Sequence, residues 1–209
     1  MSYFPFFIEL DGRTCLIVGG GDVAFRKIRE LLPFGVDIHV VSKEICESIL
    51  QLRDSYPEQL HFTYREFCEK DIEDVFFVIA ATDDEICNEK ISEICRQHKI
   101  LVNVVDDKEK CSFYFPSLVK RKNIVAGFSS GGNSPALIKE LRRKLQEQIP
   151  DYYGALNENL GQIRPMVRKV FPTEVERKQF YQSVIHRSEK LNRALEISEI
   201  QDMLHKSFT

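Results

Sequence analysis

The stretch RTCLIVGGGDVAFRK, residues 13–27, constrains the fold more than any other part of the chain. Residues 13–18 are β-branched and apolar enough for a buried strand, and Gly19 to Gly21 make a turn. DVAFRKIRELLPFG then has helical spacing, with Val23, Ile28, Leu31 and Leu32 apolar. The run from Gly19 to Ala24 fits GxGxxA. In such a motif the first glycine allows the tight turn and the second lets a backbone approach a pyrophosphate. A small sixth residue lets helix and strand pack closely while the helix N-terminus faces the anion. Because the motif follows a strand and opens a helix, it reads as dinucleotide-binding rather than as a plain packing turn.

The alternation continues. VDIHVV (36–41) is a second strand, ICESILQLRDSY a helix, LHFTY (60–64) a third strand and VFFVIAA (75–81) a fully apolar fourth. ILVNVV (100–105), after the helix DDEICNEKISEICRQH, is the fifth. Strands that are apolar on both faces and alternate with helices imply a parallel sheet covered on both sides. After Asp106 the pattern changes to two extended segments, SFYFPSLVKR and NIVAGFSS, with a turn at Lys122-Asn123. SPALIKELRRKLQEQI is a helix with Ser134 as N-cap and Pro135 at its first position. Leu137, Leu141, Leu145 and Ile149 form one apolar stripe along it. Beyond Pro150 only helices are expected, interrupted near Pro165, Pro172 and about Ser188. The fold class is α/β: a Rossmann-type parallel-sheet domain over residues 1–112, a small segment over 113–149, and an all-helical C-terminal domain over 150–209.

Open α/β sheets place ligands at the carboxyl ends of their strands, and an acidic residue about 20 positions after the glycines usually meets the adenosine ribose. Here that stretch is Ser42-Lys43-Glu44. Ser42 can hydrogen-bond a hydroxyl, Glu44 can accept a 2′-OH and Lys43 can instead meet a 2′-phosphate, so residue type leaves NAD against NADP open. Ala80-Ala81-Thr82-Asp83 closes the fourth strand with small residues where a cofactor needs space, and Thr82 or Asp83 can cap the next helix. Asn103 and Asp106 end the fifth strand, where a carboxylate can be a base. Ser130-Gly131-Gly132-Asn133-Ser134 is a second glycine turn before a helix, and its N–H groups make an anion site beside Lys120, Arg121 and Lys122.

Charge is uneven. Residues 1–112 carry 13 Lys/Arg against 22 Asp/Glu, whereas residues 113–150 carry 7 against 2, which suggests an anionic partner. Nucleic acid is not expected, because no aromatic-interleaved basic stripe accompanies those charges. Six cysteines (15, 46, 68, 87, 95 and 111) lack CxxC or zinc spacing and read as free thiols of a reducing compartment. Five histidines form no HxxxH or HExxH pair, so no metal ligand set is expected. No run of 18 apolar residues and no basic-then-apolar leader occurs, which places the chain in the cytoplasm and off the membrane.

VGGGDVAFRK, VIAATDD, VNVVDDKEKCSFYFPS and GFSSGGNSPALIKELRRKL resemble, in order and spacing, the precorrin-2 dehydrogenase and sirohydrochlorin ferrochelatase family of sirohaem synthesis. The resemblance covers roughly residues 3–150. It implies NAD-dependent removal of two hydrogens from precorrin-2 to give sirohydrochlorin. In some members, insertion of ferrous iron to give sirohaem follows. It also implies a homodimer paired through residues 113–149, a segment that also meets substrate. By that resemblance Gly19, Gly21, Asp22, Val23, Ser42, Lys43 and Glu44 hold the cofactor, and from their places at the strand ends Thr82, Asp83 and Asn103 are expected to join them. Asp106 is the catalytic group, and the Ser130 to Ser134 turn contacts a substrate bearing eight carboxylates. On an extended chain Asp106 and Asp107 would point oppositely, and the resemblance selects Asp106 to face the substrate. Where the family often has proline after the paired aspartates, this chain has Lys108. No methyltransferase domain follows, so that step is expected from a separate protein.

Two rival readings stand beside it. A nucleotide-sensing regulatory domain, of the kind found beside potassium transporters, accounts for residues 1–106 but gives no reason for SSGGNSP and the basic helix after it. A chelatase that has lost dehydrogenation is opposed by the intact GGGDVA.

Overall fold

The computed structural model describes residues 4–206. These divide into two compact units, Phe4–Phe115 and the residues from Pro116 onward.

The first unit is built on five parallel strands: β1 (Thr14–Val18), β2 (Asp37–Val41), β3 (Leu60–Thr63), β4 (Phe77–Ala80) and β5 (Leu101–Val104). Their order is β3-β2-β1-β4-β5, so the chain reverses its direction across the sheet between β1 and β4. A crevice outside the strand ends is the rule at such a switch point. Alternate residues of each strand feed two cores. Cys15, Ile17, Ile38, Val40 and Ile79 pack under α1 (Asp22–Leu31) and α2 (Glu47–Ser55). Leu16, Val18, Val78, Ala80, Val102 and Val104 pack under α3 (Glu85–Gln97). The β3-to-β4 crossover carries only a short 3-10 turn, Glu69–Ile72, where the alternation implied continuous cover. His39 and His61, paired across β2 and β3, are accordingly left exposed on that face. The chain ends this unit at Phe115 rather than at residue 112, because Phe113 and Phe115 still pack on the first core.

The second unit opens with an antiparallel hairpin, β6 (Ser117–Arg121) and β7 (Ile124–Phe128), turned at Lys122 with φ +52°. Four helices follow: α4 (Pro135–Gln148), α5 (Tyr152–Val170), α6 (Glu174–Leu191) and α7 (Ile197–Lys206). Leu156, Ile163, Val167, Phe180, Val184, Leu195, Ile200 and Leu204 are its core. Hairpin, α4 and the later helices form one unit, where the sequence suggested separate parts over 113–149 and 150–209. The ties are visible: Arg121 donates to the carbonyls of Gln146 and Ile149 at the end of α4 and pairs with Asp151, and Lys122 pairs with Glu158 of α5.

Two expected helix breaks are absent. Pro165 lies inside α5 on its exposed side, where water can satisfy the carbonyl of Gly161 that loses its partner. Ser188 is fully buried within α6, and its hydroxyl accepts from Leu195 N at 3.3 Å. The helix ends four residues later, at Asn192 in the left-handed region.

Candidate functional site

The three glycines of the β1–α1 turn differ in role. Gly19 has φ +112°, and a Cβ there would overlap the Ala81 carbonyl at the end of β4. Gly20 packs on the loop after β2: a Cβ would overlap the Glu44 carbonyl, and its own carbonyl accepts from Cys46 N at 2.8 Å. Gly20 was not among the expected site residues, since GxGxxA assigns its position no task. Gly21 is different again. Its φ is −90°, a Cβ there meets nothing within 4 Å, and it begins α1 without a capping side chain. Among the described residues the first N–H donors of α1 therefore lack partners, in front of open space that only glycine leaves at the backbone. Residues 19–24 thus fit a pyrophosphate, with Asp22 exposed in the first turn and Val23 half-buried beside it.

Around this turn the expected partners are partly spent. Lys43 pairs with Glu66 at 2.6 Å, which holds the Glu66 carboxyl below its usual range and the ammonium above its own. Glu44 is exposed, and Ser42 donates its N–H to the Thr63 carbonyl; among the described residues Glu44 makes no ion pair and the Ser42 hydroxyl no hydrogen bond. Thr82 donates to Asn88 Oδ1 at 2.8 Å and accepts from Asp84 N. Neither Thr82 nor Asp83 caps α3; Asp84 does, accepting from Ile86 N and Cys87 N. A single-residue offset of this kind is invisible in a run of Thr-Asp-Asp, where any of the three can cap.

Next to the turn, a cleft of about 480 Å³ lies between α1 and the chain leaving β5. Val23, Arg26, Lys27 and Glu30 line one side; Asn103, Asp106, Asp107 and Lys108 line the other. Asn103 is buried and its amide donates to the Phe113 carbonyl at 3.0 Å, so it anchors the wall as well as lining it. The two aspartates do not alternate along an extended strand, as the sequence suggested: Asp106 has φ +61° and sits in a turn. Asp106 is exposed and forms no hydrogen bond or ion pair among the described residues. Asp107 is committed to the loop. It accepts from Glu109 N and Lys110 N and pairs with Lys110 at 3.1 Å, and that ammonium foremost holds its carboxyl below the usual range.

Lys108, in the place of the family's proline, leaves the loop firmly built. Its carbonyl accepts from Tyr114 OH at 2.8 Å and from Cys111 N, and Cys111 Sγ bonds to the carbonyls of Val104 and Asp107. The fixed φ of proline is replaced by these four contacts.

The Ser130 to Ser134 turn lies in the second unit. Gly131 and Gly132 have φ +61° and +83°. Most of its donors and hydroxyls are used internally: Gly131 N on Ser129 Oγ, Asn133 N on the Ser130 carbonyl, Ser134 N on Ser130 Oγ, while Ser134 Oγ caps α4 through Leu137 N. Among the described residues, the Ser130 and Gly132 N–H groups and the Asn133 side chain keep no protein partner and are what it leaves for a ligand. The basic trio beside it is likewise drawn inward, since Arg121 and Lys122 hold the helices as described. Among the described residues, no group of three His, Cys, Asp or Glu converges as a metal site, and no helix is long and apolar enough to cross a membrane.

Known proteins match this chain in three ways. A family model described as "Putative NAD(P)-binding" matches residues 6–117. The siroheme synthase of Pseudoalteromonas translucida is 39% identical over 188 residues, covering 90% of this chain and 39% of its own length. That of Actinobacillus succinogenes is also 39% identical, over 186 residues, with 89% and 39% covered. This chain thus spans about two-fifths of the length of those relatives. The solved structure of "SirC, precorrin-2 dehydrogenase" superposes with a TM-score of 0.73 at 22% identity, covering 98% of this chain and all of that one, which shows a shared fold. The matched model spans the five-stranded sheet, the glycine turn and the cleft, and the chain belongs to this NAD(P)-binding family.

Proposed function

We propose that the chain is a precorrin-2 dehydrogenase that uses NAD to form sirohydrochlorin in sirohaem synthesis. The observation that carries this reading is the continuity of two features within one unit. Val23 belongs both to the open glycine turn and to the lining of the cleft on which Asp106 presents an unpartnered carboxylate. The names of the siroheme synthases and of the SirC fold relative point to the same chemistry.

When bound, NAD supplies the hydride acceptor. Gly19, Gly21, Asp22 and Val23 at the N-terminus of α1, with Thr82, Asp83 and Asn103, would hold it. Dehydrogenation also releases a proton, and Asp106 is the base that takes it on a carboxylate oxygen. NAD is favoured over NADP because Glu44 is unpaired, whereas the cation that would meet a 2′-phosphate, Lys43, is neutralised by Glu66. Ferrous insertion into sirohydrochlorin releases pyrrole protons, for which the same carboxylate serves. In the second unit, the Gly132 N–H and the Asn133 side chain are donors suited to a carboxylate. The six unbridged cysteines suit the reducing cytoplasm.

The test is anaerobic incubation with precorrin-2 and NAD, then with ferrous iron. NADH and sirohydrochlorin absorbance should rise together, and the sirohaem spectrum should follow on adding iron. NAD binding without turnover would sink the reading and favour a nucleotide-sensing domain.

A further inference from the structure

Lys27 lines the cleft opposite Asp106, and the reaction above leaves it without a task. It lies on the first turns of α1 with its side chain only 22% exposed, and its ammonium sits 4.0 Å above the Phe115 ring. Its ion-pair partner, Glu30, lies one turn on at 3.8 Å, a long contact to a carboxylate that is itself half-exposed. Burial, the largest influence, pulls the Lys27 pKa down. An ammonium that is partly stripped of water and fixed over a ring has three donors, and the long pair with Glu30 leaves it room to take a closer anion. Arg26, the next residue back, is exposed on the same cleft and unpaired, so the local field favours an incoming negative charge.

We propose that Lys27 is a positioning residue that grips a peripheral carboxylate of the tetrapyrrole substrate, setting the ring against Asp106. This deepens the dehydrogenase reading and rests on it for the identity of the substrate. A ligand carboxylate supplies the closer acceptor for Lys27, and the aromatic ring below keeps the ammonium in register. Glu30 opposes an anion only weakly, since its side chain can swing to water.

Lys27→Met keeps the packing over Phe115 and removes the charge, and Lys27→Arg restores it. With precorrin-2 as substrate, Lys27→Met should raise KM about 10- to 100-fold, the worth of a hydrogen bond to a charged group, while kcat changes little and NAD affinity stays as in the wild type. Lys27→Arg should recover most of the loss. An unchanged KM in Lys27→Met overturns the proposal, as does a loss of NAD affinity matching the loss of activity. Binding of uroporphyrin, an octacarboxylate tetrapyrrole, followed by fluorescence quenching, separates this proposal from the reaction itself. If the wild type binds it and Lys27→Met does not, the carboxylate seat stands even where precorrin-2 is not oxidised. If the wild type oxidises precorrin-2 and both proteins bind uroporphyrin equally, the reaction stands and the seat falls.

Discussion

Two neighbouring aspartates at the end of β5 have been given opposite jobs by their surroundings. Asp106 turns its carboxylate to the cleft with no protein partner, whereas Asp107 is held by two backbone N–H groups and by Lys110. Replacing Asp106 with Asn keeps the shape and removes the base. The kcat for precorrin-2 oxidation should then fall about 10²- to 10⁴-fold with NAD affinity intact. Normal turnover combined with failed iron insertion would reassign the carboxylate to the second step. Asp107→Asn should act on the loop instead. Its folded pKa lies below the ordinary 3.8, so its contribution to stability is complete above that value and is lost as pH falls through the lowered pKa. Amide exchange at Glu109 and Lys110 should be faster in Asp107→Asn than in the wild type at pH 7. The difference should shrink toward zero once the wild-type carboxyl is protonated. Equal protection at pH 7 would mean that the ion pair does not hold the loop.

The glycine turn shows why three identical letters are not three equivalent positions. Gly19→Ala forces a Cβ onto the Ala81 carbonyl at a positive φ, and should cost about 1–3 kcal/mol of stability in a denaturant titration. Gly21→Val puts its side chain into space that the protein leaves empty. It should fold as the wild type does and lose NAD binding by a large factor, and NAD titration showing no change would remove the pyrophosphate site from this turn. The strands, the α1 and α4 starts and the cap at Ser134 were readable because each follows from local period or local chemistry. Pro165 and Ser188 were misread as breaks because packing and solvent overrode propensity. The partners of Lys43, Arg121 and Lys122 lie 23 to 36 residues away along the chain, and no local pattern announces them. The cleft carboxylate was legible as a residue at a strand end, but its freedom from partners was not.

At the scale of the whole molecule, the apolar surface is larger than a solitary chain of this size needs. Leu137 and Leu141 of α4 are 54% and 38% exposed, and none of the helix's fourteen residues is fully buried. Its charged residues Glu140, Arg143, Lys144 and Glu147 are paired among themselves, as on a face meant for water. Phe4, Phe6, Phe7 and Ile8 add further exposed apolar side chains, 53% to 80% accessible. Exposed leucines along one helix mark an interaction surface, and a second copy of the chain is the partner we expect through α4. In a two-fold symmetric pair each leucine is buried twice, so burying Leu137 and Leu141 removes four side chains from water. Because the two leucines are about half and two-fifths exposed, only that fraction is left to bury, and at about 1.5–3 kcal/mol for a fully exposed leucine the four contribute about 3–6 kcal/mol, or about 10²–10⁴ in Kd. Sedimentation at micromolar concentration should therefore give a dimer for the wild type. Leu137→Glu combined with Leu141→Glu should give a folded monomer with unchanged helical content by circular dichroism. A wild type that sediments as a monomer, or a double variant that stays dimeric, would show that this face packs on something else.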